Sequence, residues 1–268
     1  MFNTDIYEHF DASITYIIEN ELQDNDQTTD FNLLEKEFEA QILKSCKCSE
    51  GDCTTEKCHH GSNYIWNEKY KEIVLNPNRR SKDVIYECNS LCECSFDCRN
   101  RLVVFGPRKD LEITSMGGKG KGLITRKFIP RGAFICEYAG ELLTKNEALK
   151  RNKINDDHGH MNYIVCLNEL SDSKSKTDGL QTFIDPSKRG NIGRYLNHSC
   201  DPNCTVVSVR IDSPIPKLAF FALKDMAAGE ELTFHYGGGS TNTENSLKTT
   251  ECLCQSTNCA GILPNWNY

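Results

Sequence analysis

The chain has 268 residues, a formal net charge of −7 and 15 cysteines. That length supports one large domain or two small ones with a real core, and the acidic balance suits a basic partner while arguing against tight non-specific DNA binding. Asp5, Glu8, Asp11, Glu19 and Glu21 leave no apolar signal-peptide core, and no apolar run approaches a membrane span, so a soluble intracellular protein with reduced, metal-binding thiols is expected.

Within residues 1–45, apolar positions recur at Ile14, Ile17 and Ile18, then at Leu33, Leu34, Phe38 and Ile42. This periodicity predicts two short helices, the second carried by Glu35, Lys36, Glu37 and Glu39. The polar run 24–30 between them reads as a mobile connection, and the whole segment as a tail that packs on the core without chemistry. The character then changes. Cys46-x-Cys48-x4-Cys53-x4-Cys58 and Cys88-x3-Cys92-x-Cys94-x3-Cys98 bracket about thirty residues with little apolar periodicity. Such a segment buries too little surface to fold alone, so structural metal with closed coordination is expected to hold it. Cys-x-Cys is too tight a spacing for both sulfurs to reach one tetrahedral ion comfortably, and it suggests a shared cluster.

From Leu102 the chain is strand-like, with β-branched and aromatic residues concentrated at 134–138, 163–167, 204–211 and 218–223. One helix intervenes, where Thr144-Lys145-Asn146-Glu147 has capping-box form ahead of Ala148-Leu149-Lys150. A mostly β domain with few helices follows. Residues 171–179 read as a polar loop and 237–245 as a flexible linker. Residues 190–203, Gly-Asn-Ile-Gly-Arg-Tyr-Leu-Asn-His-Ser-Cys-Asp-Pro-Asn, would pass on composition alone for a surface turn. Glu230-Glu231-Leu232-Thr233-Phe234-His235-Tyr236 lies downstream, then Cys252-x-Cys254-x4-Cys259. Those last three thiolates are one short of a closed metal site, and Cys200 is the obvious fourth. Cys136, Cys166 and Cys204 remain, each in an apolar or strand context that suits a buried thiol.

These motifs, in this order, resemble the SET-domain protein lysine methyltransferases over roughly residues 46–263. The resemblance implies a SET fold, a knotted arrangement of short β-sheets, flanked by zinc-bound pre-SET and post-SET segments. The implied divisions are an N-terminal helical or extended segment (1–45), the pre-SET zinc cluster (46–100), the catalytic SET domain (101–238), a linker (239–251) and the post-SET zinc segment (252–268). In the pre-SET segment of family members that modify lysine nine of histone H3, nine cysteines hold three zinc ions, three of them bridging. Here Cys46, Cys48, Cys53, Cys58, Cys88, Cys92, Cys94 and Cys98 make eight. The gap falls just after Cys58, where the family has Cys-x-Cys. Cys58-x-His60 keeps that spacing, so His60 is the preferred ninth ligand, with His59 or no replacement as alternatives. A fourth zinc is implied at Cys200, Cys252, Cys254 and Cys259.

The same resemblance assigns S-adenosylmethionine to Gly120-Lys121-Gly122, Tyr163, Arg194, Tyr195, Asn197 and His198. Asn197 would take the amino group of the methionine moiety, and His198 the adenine side through backbone contacts. Tyr236 matches the catalytic tyrosine, Tyr138 a second channel tyrosine, and Phe234 the position governing how many methyls fit. Three positions depart from the pattern. Lys121 replaces a tryptophan, His235 replaces an aspartate or asparagine, and Pro264 stands where a tryptophan often covers the cofactor, with Trp266 two residues later. Residues 209–213 with 216–219 resemble the methyltransferase half of the SET–mariner fusion proteins. The expected activity is methylation of lysines on the histone H3 tail to at least the dimethyl state, with lysine nine favoured and lysine thirty-six or four open. The expected setting is nuclear chromatin, as a monomer, with no membrane association and no strong direct DNA binding. The rival expectation is a catalytically weak or inactive chromatin-binding module that kept the scaffold. Lys121, His235 and Pro264 favour that rival, whereas Tyr236, Asn197 and His198 count against it.

Overall fold

The computed structural model describes residues 5–48, 53, 58–61, 63–79, 84–169, 180–237 and 250–264. The expected loop at 171–179, the linker beyond residue 237 as far as 249, and Trp266 lie outside the described residues. No described helix is long and apolar enough to cross a membrane.

The first expected helix is not formed. Its residues run extended and supply two short strands, β1 (Thr15–Tyr16) and β2 (Glu21–Leu22). Of the three isoleucines that suggested a helical face, only Ile17 is buried, while Ile18 is exposed. The backbone instead finds partners on strands far along the chain, and edge pairing outweighs a weak local periodicity. The second helix is real: α1 (Thr29–Glu39) is capped by Thr28, whose hydroxyl accepts from the Phe31 N–H at 3.1 Å. The polar run before it is organised rather than loose, since Asp26 accepts from both the backbone and the hydroxyl of Thr28.

Between the cysteine clusters the chain builds an antiparallel hairpin, β3 (Tyr64–Asn67) and β4 (Glu72–Leu75), followed by β5 (Ile85–Tyr86). Tyr64 and Ile85 are fully buried in an apolar cluster with Phe134, Val209 and Phe221. Apolar packing therefore holds this segment as well as the cysteine cluster beside it. The next hairpin is β6 (Leu111–Ser115) with β7 (Lys121–Thr125), turned by a 3-10 helix at Gly117–Lys119.

The remaining strands are β8 (Phe134–Tyr138), β9 (Gly140–Leu143), β10 (Val165–Glu169), β11 (Leu180–Gly190), β12 (Asn197–His198), β13 (Cys204–Arg210), β14 (Lys217–Ala222) and β15 (Thr233–Phe234). They form a five-stranded sheet in the order β1-β11-β9-β2 with β10 also on β11. A four-stranded sheet runs β5-β13-β14-β8, and β12 and β15 make a parallel pair. Ile135, Ile184, Ile192, Leu196, Phe220 and Leu232 fill the main core between these layers. Helix α2 (Lys145–His158) starts where the capping box predicts, with the Thr144 hydroxyl accepting from Glu147 N–H at 3.2 Å. The reciprocal bond is absent. Glu147 turns to Lys150 and Arg151, and Thr144 N–H donates to Gln23 of the N-terminal segment at 2.8 Å.

The segment after β11 passes beneath β8 at very close range. Asn191 accepts from Ala139 N–H and Gly193 N–H, and a Cβ on Gly193 would fall 2.3 Å from the Glu137 carbonyl oxygen. Backbone cannot swing aside as a side-chain end can, so Gly193→Ala should cost about 3 kcal/mol. Gly159→Ala, in a left-handed helix cap with open space around it, should cost about 1 kcal/mol. Denaturant melts of the two variants would check the order, and equal costs would contradict the close passage.

Candidate active site and metal centres

The pocket is assembled where β15 meets β12. Asn197 pairs with Thr233 and His198 with Phe234. Buried Asn203 stitches the junction, accepting from Thr233 N–H and donating to Glu231 O, both at 2.8 Å. Past β15 the chain turns, and Tyr236 N–H donates to His198 Nδ1 at 3.2 Å. That bond leaves the proton of a neutral His198 ring on Nε2, which faces Cys200 Sγ at 3.3 Å. Burial, aided by neighbouring His235, pushes the His198 pKa down to about 4 and keeps the ring neutral.

Beside this junction opens a cavity of about 330 Å³, part of it open to solvent, whose walls include Tyr138, Tyr163, Arg194, Leu196, Phe234 and Tyr236. Phe234 and Tyr236 stand with ring centroids 4.9 Å apart, and Tyr138 lies 6.4 Å from Phe234. Their hydroxyls are held by backbone: Tyr138 donates to Tyr163 O at 2.5 Å, and Tyr236 to Leu196 O at 3.3 Å. Burial raises both phenol pKa values, so both stay protonated at neutral pH and serve as donors rather than bases. Tyr163 lies two residues ahead of β10, not inside a strand as its sequence context suggests.

Gly120, Lys121 and Gly122 open β7 against Asn197. A Cβ on Gly122 would lie 2.8 Å from Asn197 Nδ2 and 3.0 Å from Glu231 Oε1, so glycine is what lets the strand close on that amide. Asn197 Nδ2 donates to Lys121 O at 3.1 Å and Glu231 Oε1 at 2.9 Å. Its Oδ1 thereby faces no protein donor among the described residues. Lys119 pairs with the other oxygen of Glu231, whereas the Lys121 side chain is exposed. Glu231 and Lys119 escaped the sequence reading, although Glu231 stands inside the motif that contains Tyr236. Arg194 lies over the rings of Tyr163 and Tyr195 at 4.7 and 5.0 Å. Tyr195 is not brought to the cavity wall; it sits behind Arg194, its hydroxyl 3.0 Å from His9.

The eight N-terminal cysteines gather into one buried cluster. Cys46, Cys48, Cys53 and Cys58 have sulfurs within 4.8 Å of one another, as do Cys46, Cys53, Cys88 and Cys94, and so do the ligand atoms of Cys46, Cys58, His60 and Cys88. Cys46 Sγ is 3.7 Å from Cys53 and 3.8 Å from Cys88. A tetrahedral ion with bonds of ~2.3 Å to sulfur spaces its thiolates about 3.8 Å apart, so the fit to zinc is close. Cys46, Cys53, Cys58 and Cys88 recur between these groups, more than the three that the expected bridging needs. Cys92 and Cys98 join through Cys46 N–H at 3.4 Å and Cys88 Sγ at 3.9 Å. Buried His60 puts Nδ1 3.7 Å from both Cys58 and Cys88 sulfurs, while exposed His59 turns to the Ser45 carbonyl at 2.8 Å. Arg101 approaches Cys94 Sγ at 3.7 Å, a cation placed against an electron-rich cluster. The second group is Cys200, Cys252, Cys254 and Cys259, with Ala260 N–H directed at Cys200 Sγ and Gly261 N–H at Cys259 Sγ, both at 3.4 Å. Cys136, Cys166 and Cys204 are buried in the cores and belong to neither group.

Sheets, aromatic cavity and flanking cysteine groups together define a SET-domain protein. Family comparison agrees, matching the SET domain at residues 120–237 and the Pre-SET motif at residues 4–101. The histone-lysine N-methyltransferase SETMAR of Bos taurus is 38% identical over 231 residues, which make 82% of this chain and 74% of that protein. The crystal structure of the methyltransferase domain of human SETMAR superposes with a TM-score of 0.76 at 32% identity, covering 95% of this chain and 90% of that one. Arabidopsis thaliana SUVH6 in complex with SAM superposes with a TM-score of 0.71 at 25% identity, covering 97% of this chain and 52% of that one. The chain belongs to the SET-domain histone-lysine N-methyltransferases and is an enzyme of that class.

Proposed function

We propose that the enzyme uses S-adenosylmethionine to methylate lysine on a histone H3 tail, with lysine nine the leading target and lysine thirty-six or four the alternatives, to at least the dimethyl state. The observation that carries this reading is the cavity walled by Tyr138, Phe234 and Tyr236, adjoining the Asn197 amide and the Arg194 guanidinium. A structural neighbour was solved with SAM, which supports the cofactor assignment. The bound cofactor supplies an electrophilic methyl on a cationic sulfonium. Asn197 Oδ1 is free to accept from an ammonium, and Arg194 offers a cation to a carboxylate. Gly120 and Gly122 let the backbone approach, with Tyr163 flanking. The histone substrate implies nuclear, chromatin-associated action, and zinc is assigned to both cysteine groups.

A free lysine amine has a pKa of about 10.4 and must lose its proton before it can attack. The aromatic cavity disfavours the ammonium by desolvation, and the positive charge of a bound cofactor would add like-charge repulsion. The protonated tyrosines then need only orient the amine; neither has to act as base. Tyr236→Phe should lower turnover while leaving S-adenosylhomocysteine affinity within about twofold, and Asn197→Ala should weaken that affinity about tenfold. Calorimetry beside methylation assays on histone-tail peptides checks both, and wild-type turnover in Tyr236→Phe would remove that residue from its role.

Zinc should number about four ions per chain, three in the N-terminal cluster and one at Cys200, Cys252, Cys254 and Cys259. Elemental analysis of His60→Ala should show a lower zinc content and melts a lower Tm, with His59→Ala unchanged. Full zinc in both variants would mean that another ligand completes the cluster.

Product multiplicity should depend on Phe234. A tyrosine there could hold the amine, or a water beside it, by hydrogen bond, and that water is costly to displace when its bonds are not replaced. Phenylalanine leaves room for a bulkier amine. Phe234→Tyr should therefore shift product towards monomethyllysine, read by mass spectrometry of exhaustively treated peptide. A wild-type reaction that stops at monomethyl would sink this assignment.

A further inference from the structure

The N-terminal segment is fastened to the catalytic domain at several points, and one of them leads to the pocket. Tyr7 donates its hydroxyl proton to Arg108 O at 2.6 Å and accepts from Leu111 N–H at 3.0 Å. Tyr16 pairs with Gly190 in the β1–β11 ladder, and its hydroxyl lies 2.9 Å from the Asp5 carboxylate and 3.3 Å from Ile192 N. These contacts hold the segment down, and Tyr16 also packs against the His9 ring with centroids 4.9 Å apart, but neither tyrosine touches Arg194. His9 is different. Its Nε2 is 3.0 Å from Gly190 O, and a carbonyl can only accept, so Nε2 carries the proton. A neutral ring then has its lone pair on Nδ1, 3.0 Å from Tyr195 OH, and the hydroxyl must donate to it. Burial, with the nearby Arg194 cation adding to it, lowers the His9 pKa and favours this neutral form.

The tethered Tyr195 ring carries Arg194 on its face at 5.0 Å, and the same guanidinium covers Tyr163 at 4.7 Å. Arg194 and Tyr163 both line the cavity. The other hold on Arg194 is its Nε donating to Pro186 O at 3.0 Å. An arginine is costly to order because it has many rotamers, so a ring fixed beneath it lowers the loss on ligand binding. We propose that His9 is a positioning residue for the methyl-transfer reaction, fixing Tyr195 and through it Arg194 on the cofactor side of the pocket. This rests on the assignment of Arg194 to the cofactor, and the test separates the two.

In the full chain, His9→Leu and Tyr195→Phe should each raise the KM for S-adenosylmethionine and the Kd for S-adenosylhomocysteine about fivefold, with kcat at saturating cofactor within about twofold. His9→Gln, whose amide offers one donor and one acceptor, should restore most of the affinity. Tyr7→Phe loosens the same segment without a path to Arg194, so it should lower Tm and leave KM unchanged. Wild-type KM in both His9→Leu and Tyr195→Phe would overturn the inference, as would an equal rise in KM in Tyr7→Phe. Should His9→Leu fail to fold, Tyr195→Phe, which loses only a hydroxyl, decides. Arg194→Ala is the arbiter of the underlying assignment. If it binds S-adenosylhomocysteine as wild type does, the cofactor role of Arg194 falls and the inference with it. If it alone loses affinity, only the link to His9 is overturned.

Discussion

A single extra carbon at Gly193 would collide with the backbone of β8, and the working parts of the pocket are placed by that near-contact. Because the chain is held there, Arg194 and Leu196 emerge in the cavity wall, Asn197 and His198 reach β15, and Cys200 reaches the C-terminal cysteines. Asn191 and Asn203, two buried amides near the ends of this passage, spend their hydrogen bonds on backbone groups of neighbouring elements. Buried polar groups satisfied in this way fix one arrangement, since any shift leaves several of them unpaired at once.

His198 joins the two chemistries that the chain combines. One ring nitrogen receives the N–H of Tyr236 and the other faces the sulfur of Cys200. When Cys200 serves as a metal ligand its sulfur is an anionic acceptor, and the imidazole proton is drawn to it. The free lone pair is then directed at the tyrosine peptide. The sulfur group therefore helps to orient the aromatic wall without touching substrate, much as outer partners orient the ligands of a metal site.

Much of this was legible in the sequence, for reasons that differ from place to place. The strands at 134–138, 204–210 and 217–222 carry dense β-branched and aromatic runs, and the start of α2 is marked by Thr144. The hairpin around residue 70 carries a signal too, in Tyr64-Ile65-Trp66 and Ile73-Val74-Leu75, which the flanking cysteines overshadow. The region around Ile14 misled because its strand pairing depends on partners about 170 residues away, which no local window contains. At the site, motif positions single out Tyr138, Phe234 and Tyr236, which line the cavity, and Asn197, which meets β7 beside it. Spacing could not show that Tyr195 turns away towards His9, nor that Lys119 and Glu231 meet beside Asn197. Those are facts of side-chain direction.

The N-terminal segment also imposes an order in time. Its contacts include Arg189, Gly190 and Tyr195, besides Arg108, Leu111 and strand β9, and His9 is 186 residues from the tyrosine it meets. During synthesis this stretch emerges well before β11 and Tyr195, on which it docks. Its β1 and His9 contacts must wait until β11 and Tyr195 have been made, whereas Tyr7 and β2 meet partners that emerge earlier. Contacts of such sequence separation are slow to form because a large loop has to close first. With few buried side chains and much edge hydrogen bonding, the segment belongs to the part of the fold that opens at least cost. The stretch behind the pocket wall at Arg194 is thus among the last parts of the fold to settle.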